Sequence, residues 1–568
     1  MHIKTTRRRR GDKTYEYLSL VESVRLGGRN THRTLLRLGE VTALRESGEL
    51  ERVIAALSNH LERDRLNSVA MTAEDARSVG SIAAVATVWE RLGLGAWFAK
   101  VGAERGAEVL TEAVFAMVAN RLIDPCSKRR LPEWVERDVA MGNGWTAPSL
   151  AQYYRALDAV AEAKAATETE LYARLCDLTN MDLSMVCYDL TSTYFETDSG
   201  TSDRFPSRAF GYSRDHRSDR PQIVIGLLCT GDGIPIAHHV FAGNTNDAAT
   251  LPAVLADLAD RFKVGRITVV ADRGLISTAN IDVVGNNGFD HILATKLHRD
   301  ATCAEALTLA AADGVTWIEV PTARSQAAEV RLADGTRAVV VTSDARQARD
   351  TARTADLVAR TEAKLLALED RVRAGRLRDP GKIGRAAQRI LGPSGVARLF
   401  DVEISDGHLV YHYNEKAQDY ETLLAGRYVL TTSLTPTQAS TTRIVTAYRE
   451  LLNVESRFRT LKDFLHLRPV RHFTEQRVAG HVAVCVYAAV IETLIGKALT
   501  AARVADPDID DQDLTAQRAL RELNRIRSVT LTTTGRTINL TTRRTPLQTQ
   551  ILTALDVDTT TWDRAHIT

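Results

Sequence analysis

Apolar positions along the 568-residue chain change their period at a few clear points. Residues 14 to 42 alternate apolar and polar side chains about a Gly27-Gly28 pair, a pattern that predicts a β-hairpin. From about Ser68 to Asn180 the spacing becomes three and four, in SIAAVATVWERLGLGAWF, EVLTEAVFAMVANRLI and SLAQYYRALDAVAEA, which predicts packed helices. At Met181 the period shortens to that of strands. LSMVCYDLTS, QIVIGLLCT, IPIAHHVFAG, RITVVADRG and HILATK are β-rich runs, and DAATLPAVLADLADRF, between the third and the fourth, is helical.

Three strands joined by short turns, then helix, strand, helix and strand, predict a mixed sheet that is antiparallel at its start and parallel at its end. That succession is the layout of a ribonuclease H-like α/β fold with a mixed five-stranded sheet. Residues 301–440 break it as an α+β insertion: a charged helical stretch, DARQARDTARTADLVARTEAKLLALEDRVRAGRLRD, leads to the strand-like LFDVEIS, HLVYHYN and GRYVLTTS. Thr441 to Leu467 reads as one long helix, followed by the apolar run VAGHVAVCVYAAVI. The expected organisation is a basic hairpin module at 1–65 and a helical domain at 66–180. The first part of the sheet domain at 181–300 and the insertion at 301–440 follow. The long and apolar helices occupy 441–500, and a C-terminal helix and Thr-rich hairpin occupy 501–568.

Composition changes this picture little. The 73 Lys and Arg nearly balance 71 Asp and Glu, for a net charge of +2, which excludes a generally polycationic protein. The basic residues are nonetheless clustered, at Arg7 to Arg10, in the hairpin, and at Pro125-Cys126-Ser127-Lys128-Arg129-Arg130 between two predicted helices. Of the 73, 61 are Arg, which fits either a GC-rich genome or contact with phosphate. Six scattered Cys without a C-x-x-C pair indicate neither a zinc ribbon nor a disulfide framework, and suit a reducing cytoplasm. The apolar run contains His481, precedes Glu492 and is shorter than the roughly 20 residues of a membrane span, so a buried helix and no membrane partner are expected.

Candidate chemistry sits at strand ends. Asp189 closes the apolar run of SMVCYDLTS and Asp272 that of ITVVADRGL. A lone Asp in such a place is often a turn former, but two on neighbouring strands can hold a divalent cation. On the predicted long helix, Tyr448, Glu455 and Lys462 are spaced by seven and seven, which keeps them on one face. An amphipathic helix with a solvated polar stripe is the plainer reading of that face.

Together these residues resemble the DDE insertion-sequence transposases of the "insertion sequence four" superfamily. The resemblance lies in Asp189, Asp272 and Glu455, the last within Y-x(6)-E-x(6)-K. It extends to GYSRDHRSDRPQIVIGLLCTGDGIPIAHHVFAGNTND, VADRGL, YRELLNVESRFRTLK and HLRPVRHFTEQRVAGH, and to both ends of the chain. One departure is visible: the superfamily carries Arg three residues after the Tyr, where this chain has Leu451.

The resemblance implies a catalytic triad of Asp189, Asp272 and Glu455 holding two Mg²⁺ ions, with Mn²⁺ able to substitute. Two such ions activate water and stabilise a leaving 3′ oxygen without a protein nucleophile. It also implies DNA contacts from Tyr448, Lys462, Arg459, Arg273 and Arg468, and an insertion that helps hold the transposon end. Ordinary pairing of Glu455 with Arg459 competes for the latter. Arg214, Arg217 and Arg220 could grip DNA or pair with the neighbouring Asp215 and Asp219. The partners expected are double-stranded DNA, as transposon ends and as target, and a second copy of the chain when ends are paired. The location expected is the bacterial cytoplasm, at the nucleoid. A nuclease on the same fold that does not transpose, and a catalytically dead transposase descendant that only binds DNA, are the competing functions.

Overall fold

The computed structural model describes residues 2–10, 13–26, 29–47, 52, 72–103, 106–142, 145–179, 184–201, 205–262, 267–275, 278–295, 300–405, 408–510, 512–533, 536–560, 562 and 566–567. The chain divides into two compact units, one of Met1–Arg77, Arg527–Thr542 and Thr559–Thr568, the other of Ser78–Ile526 and Arg543–Asp558.

In the first unit, β1 (His2–Arg10), β2 (Lys13–Leu26) and β3 (Arg29–Glu40) form an antiparallel sheet in chain order. The expected hairpin is β2 and β3, and its Gly27-Gly28 turn lies outside the described residues. The basic segment ahead of it is part of β1, with Arg7 opposite Glu16. Arg7 pairs with Glu16 at 2.7 Å and Arg33 with Glu22 at 2.8 Å, so the strands are laced by opposite charges. A second sheet contains β4 (Thr72–Ser78), a segment expected to be helical. It is a strand because the C-terminal hairpin, β16 (Arg527–Thr533) and β17 (Arg536–Thr541), offers it a hydrogen-bonding edge; β18 (His566–Ile567) closes the other side.

The second unit is built on β5 (Met185–Tyr194). Antiparallel β6 (Gln222–Thr230) and β7 (Pro235–Ala242) lie to one side, parallel β8 (Thr268–Ala271) and β9 (Asp290–Ala294) to the other. The antiparallel start and parallel end are as the sequence predicts. The sheet does not stop at five strands. β10 (Trp317–Val320), β11 (Ser325–Arg331), β12 (Arg337–Thr342) and β15 (Arg427–Thr432), all from the 301–440 segment, extend it to nine, in the order β10-β11-β12-β15-β9-β8-β5-β6-β7. The physical reason is the free edge of β9, whose Ile292 to Ala294 take partners in Leu430 to Thr432 of β15. The rest of the insertion is a two-stranded ribbon, β13 (Phe400–Ser405) and β14 (His408–Tyr413), and helices that include Asp344–Arg373.

Alternation along β5 decides what each face does. Val186, Tyr188 and Leu190 point into a core with Leu251, Val254, Leu255, Leu258 and Phe262, which recur at helical spacing on helix Leu251–Phe262. Burial of each such side chain stabilises by about 1.5–3 kcal/mol. Gly226, opposite Leu190, is required by the Tyr188 ring, because a Cβ there would lie 2.6 Å from its hydroxyl. Cys187 and Asp189 fall on the other face, against which helix Leu451–Arg459 packs.

The apolar run belongs to helix Glu475–Ala501, longer than the run itself. It is long and apolar enough to cross a membrane, yet 89% of its most apolar window is buried inside the protein. Helices Ala107–Ile123 and Leu150–Glu162 pack on it.

Candidate active site

The single long helix predicted from Thr441 to Leu467 is three pieces: α-helices Thr441–Arg449 and Leu451–Arg459, then a π-helical turn at Thr460–Phe464. Leu451, Val454 and Phe458 anchor the middle piece by burying one stripe. Glu455 is exposed on the adjoining face. Asp189 comes from β5, and Asp272 follows β8 directly, just before the short turn Arg273–Leu275. The three carboxylates, distant in sequence, line one cavity of about 510 Å³.

Burial pushes the Asp189 carboxyl up to about 7, and the charges of Asp272 and Glu455 push in the same direction. A hydrogen bond from Leu190 N, at 2.7 Å, and the charge of Arg214 oppose them. Tyr448 donates its hydroxyl to Asp272 Oδ1 at 3.0 Å. Among the described residues no three His, Cys, Asp or Glu side chains are gathered tightly enough to form a finished metal site.

The insertion supplies the opposite wall. Arg346 and Arg349, one turn apart at the start of helix Asp344–Arg373, line the cavity with Tyr428 of β15. The Arg346 guanidinium lies 5.3 Å from the centre of the Tyr428 ring, and that ring lies 5.6 Å from Tyr448. A chain of contacts thus runs from the insertion through two aromatic rings to Asp272. Sequence reasoning missed Arg346, Arg349 and Tyr428. The only local signal was two Arg at i, i+3 in DARQAR, which looks like any charged helix face.

The remaining expected residues disperse. Lys462 is not among the residues lining this cavity. The π-turn's extra residue rotates it away from the Tyr448 and Glu455 line, and its ammonium meets Asp215 Oδ1 at 2.7 Å. Arg468 pairs with the same Asp215 and, at 2.6 Å, with Asp463. Arg459 lines a different cavity with Asp463 and Arg521, and among the described residues it makes no ion pair with Glu455. The Arg273 side chain lies outside the described residues. Leu451 is buried and lines the carboxylate cavity, as does Arg449, which donates to the Ala323 carbonyl. Arg214 pairs with Asp247 at 2.6 Å, Arg217 with Asp219 at 2.8 Å, and Arg220 with Asp198. The stretch following Asp189 is therefore paired with its own neighbourhood's acids.

Comparison with known families decides what this arrangement belongs to. Residues 186–491, more than half the chain and the span holding all three carboxylates, match the family model described as transposase DDE domain. The chain is a DDE transposase. Residues 3–70 of the transposase also match the model for the N-terminal domain of IS1634 family transposases. No curated protein matches the transposase. Among solved structures it is similar to a piggyBac transposase synaptic complex with hairpin DNA, determined by cryo-electron microscopy, at 10% identity and a TM-score of 0.34. That match covers 78% of this chain and 76% of the other.

Proposed function

We propose that the transposase binds the terminal inverted repeats of its element, hydrolyses the phosphodiester at each end and joins the freed 3′ hydroxyl to target DNA. The observation that carries this reading is the convergence of Asp189, Asp272 and Glu455 on one cavity, faced by Arg346 and Arg349. The strand order β9-β8-β5-β6-β7, antiparallel on one side of β5 and parallel on the other, supports reading that part of the sheet as a ribonuclease H-like core.

The residues fit divalent cations. They offer only oxygen donors, which Mg²⁺ prefers, and burial, with the charges of Asp272 and Glu455 adding to it, disfavours a bare Asp189 carboxylate that a cation would stabilise. Asp189, Asp272 and Glu455 would hold two Mg²⁺ ions, or Mn²⁺ in their place. Bound there, the ions supply an activated water and a stabilised leaving oxygen. Tyr448 holds the Asp272 carboxylate in orientation through its 3.0 Å hydrogen bond. Arg346 and Arg349 present guanidinium donors to the phosphates flanking the scissile bond. Double-stranded DNA is the partner, simultaneous handling of two ends calls for a homodimer, and the substrate places the enzyme at the nucleoid.

Replacing Asp189, Asp272 or Glu455 singly by Ala should lower cleavage of a terminal-repeat duplex by on the order of 10³-fold or more while DNA binding persists. Cleavage retained by all three variants refutes the assignment. Joining of the cut strand to a second duplex separates a transposase from a nuclease that only cuts, and no cleavage by the unaltered protein favours a binding-only descendant.

A further inference from the structure

A second cavity, of about 320 Å³, opens between the turn that follows helix Ala107–Ile123 and the loop that follows the Glu455 helix, and it shares no residue with the carboxylate cavity. Its charged walls are all basic, among them Arg121, Lys128, Arg129 and Arg471, and no described carboxylate lines it. Arg121 is 4% exposed and is fixed by the carbonyls of Leu465, His466 and Cys126 and by Asn120 Oδ1. Those acceptors hold the guanidinium in place without neutralising it, and its Nε has no partner.

Lys128 is the telling residue. It is 6% exposed, and among the described residues it has no hydrogen-bond or ion-pair partner. The His481 ring, also 6% exposed, lines the same cavity. Burial pushes the Lys128 ammonium down to about 7, and Arg121 adds to the effect. A positive charge on Lys128 beside Arg121 is unfavourable until an anion balances it, so an anion seated in the cavity would be held by the charge it restores. Arg129 and Arg471, which also line the cavity, are exposed. This combination of a deep cation and a basic rim suits one phosphate group seated in the cavity with a charged strand continuing past it.

We propose that this cavity seats a backbone phosphate of the DNA duplex, with Lys128 as its central contact and Arg129 and Arg471 on adjoining phosphates. The inference rests on the DNA-binding reading above and extends it to a contact away from the carboxylates.

The test compares unaltered protein, Lys128→Met and Arg471→Ala for binding of a labelled mixed-sequence duplex across a salt series, with melting followed in parallel. Lys128→Met should bind on the order of tenfold more weakly, and its slope of log affinity against log salt should fall by about 0.9, the value of one phosphate contact. Its free form should melt at the same or a higher temperature, because an unpaired buried charge has gone. Arg471→Ala changes an exposed residue, so it reports on DNA even if Lys128→Met does not fold; its slope should fall likewise. Unchanged affinity and slope in Arg471→Ala and in any folded Lys128→Met overturn this inference alone, whereas no duplex binding by the unaltered protein overturns the DNA-binding reading with it. Inorganic phosphate that raises the melting temperature of the unaltered protein but not of Lys128→Met, with duplex binding unaffected, assigns the cavity to free phosphate and overturns the DNA assignment.

Discussion

Arg457 stands two residues beyond Glu455 and reaches into the apolar helix Glu475–Ala501, where it donates to Glu492 and, at 2.8 Å, to Thr493 Oγ1. The two charged side chains are only 18% and 10% exposed, so the pair is a buried bolt between the Glu455 helix and the core. Burial holds the Glu492 carboxyl above the usual carboxylate range even with Arg457 opposing it. Arg457→Met removes the counter-charge and leaves a buried carboxylate, at a cost of about 3–5 kcal/mol at neutral pH. The sign of the pH dependence follows from the raised value. A carboxyl that is harder to ionise in the folded state penalises folding only where the unfolded chain ionises it, above about pH 4.3. Below that both states are protonated, and the cost of Arg457→Met should largely disappear. Converting both partners, Arg457→Met with Glu492→Met, removes the charge altogether and should return stability to within about 1 kcal/mol of the parent or above it. Urea unfolding of the parent, both single variants and the double variant, followed by Trp fluorescence at about pH 7 and about pH 4, measures the whole cycle. A cost of Arg457→Met that is equal at both pH values, or a double variant as unstable as the single, refutes the reasoning.

Two further outcomes follow from single contacts. Tyr448→Phe keeps the ring beside Tyr428 but deletes the hydrogen bond to Asp272; cleavage should slow by on the order of tenfold with DNA affinity unchanged, and an unaltered cleavage rate would count against Tyr448 as a positioning residue. Gly480→Ala would set a Cβ 2.2 Å from the Leu157 carbonyl oxygen, so the unfolding midpoint should drop by the equivalent of about 1–3 kcal/mol or more, and a midpoint equal to the parent's would show that the two helices yield freely.

Much of the carboxylate site is legible in the sequence, because its framework is written in local periodicity. The alternation that turns Tyr188 into the core turns Asp189 to the opposite face, and the apolar run ending at Ala271 brings Asp272 to the end of its strand. Lys462 leaves the cavity of Tyr448 and Glu455 for an equally local reason that periodicity does not report. A seven-residue spacing keeps side chains aligned only while the helix stays α, and the π-turn at Thr460–Phe464 ends that condition. Arg346, Arg349 and Tyr428 were invisible for a different reason: β15 finds β9 across more than a hundred residues of chain, and only that pairing carries the insertion to the cavity.

The near-zero net charge has the same lesson in it. Sequence by itself determined the succession β5 to β9 with its intervening helix, the two strand-end aspartates and the glutamate on its helix, since hydrophobic period and turn residues act over a few positions. Tertiary structure alone decided that the sheet has nine strands and not five, that Lys462 and Arg468 answer Asp215, and that Lys128 is buried with no acid beside it. Which charges meet depends on edges, registers and packing between segments far apart in the chain, and a sum of +2 keeps no record of where each charge comes to rest.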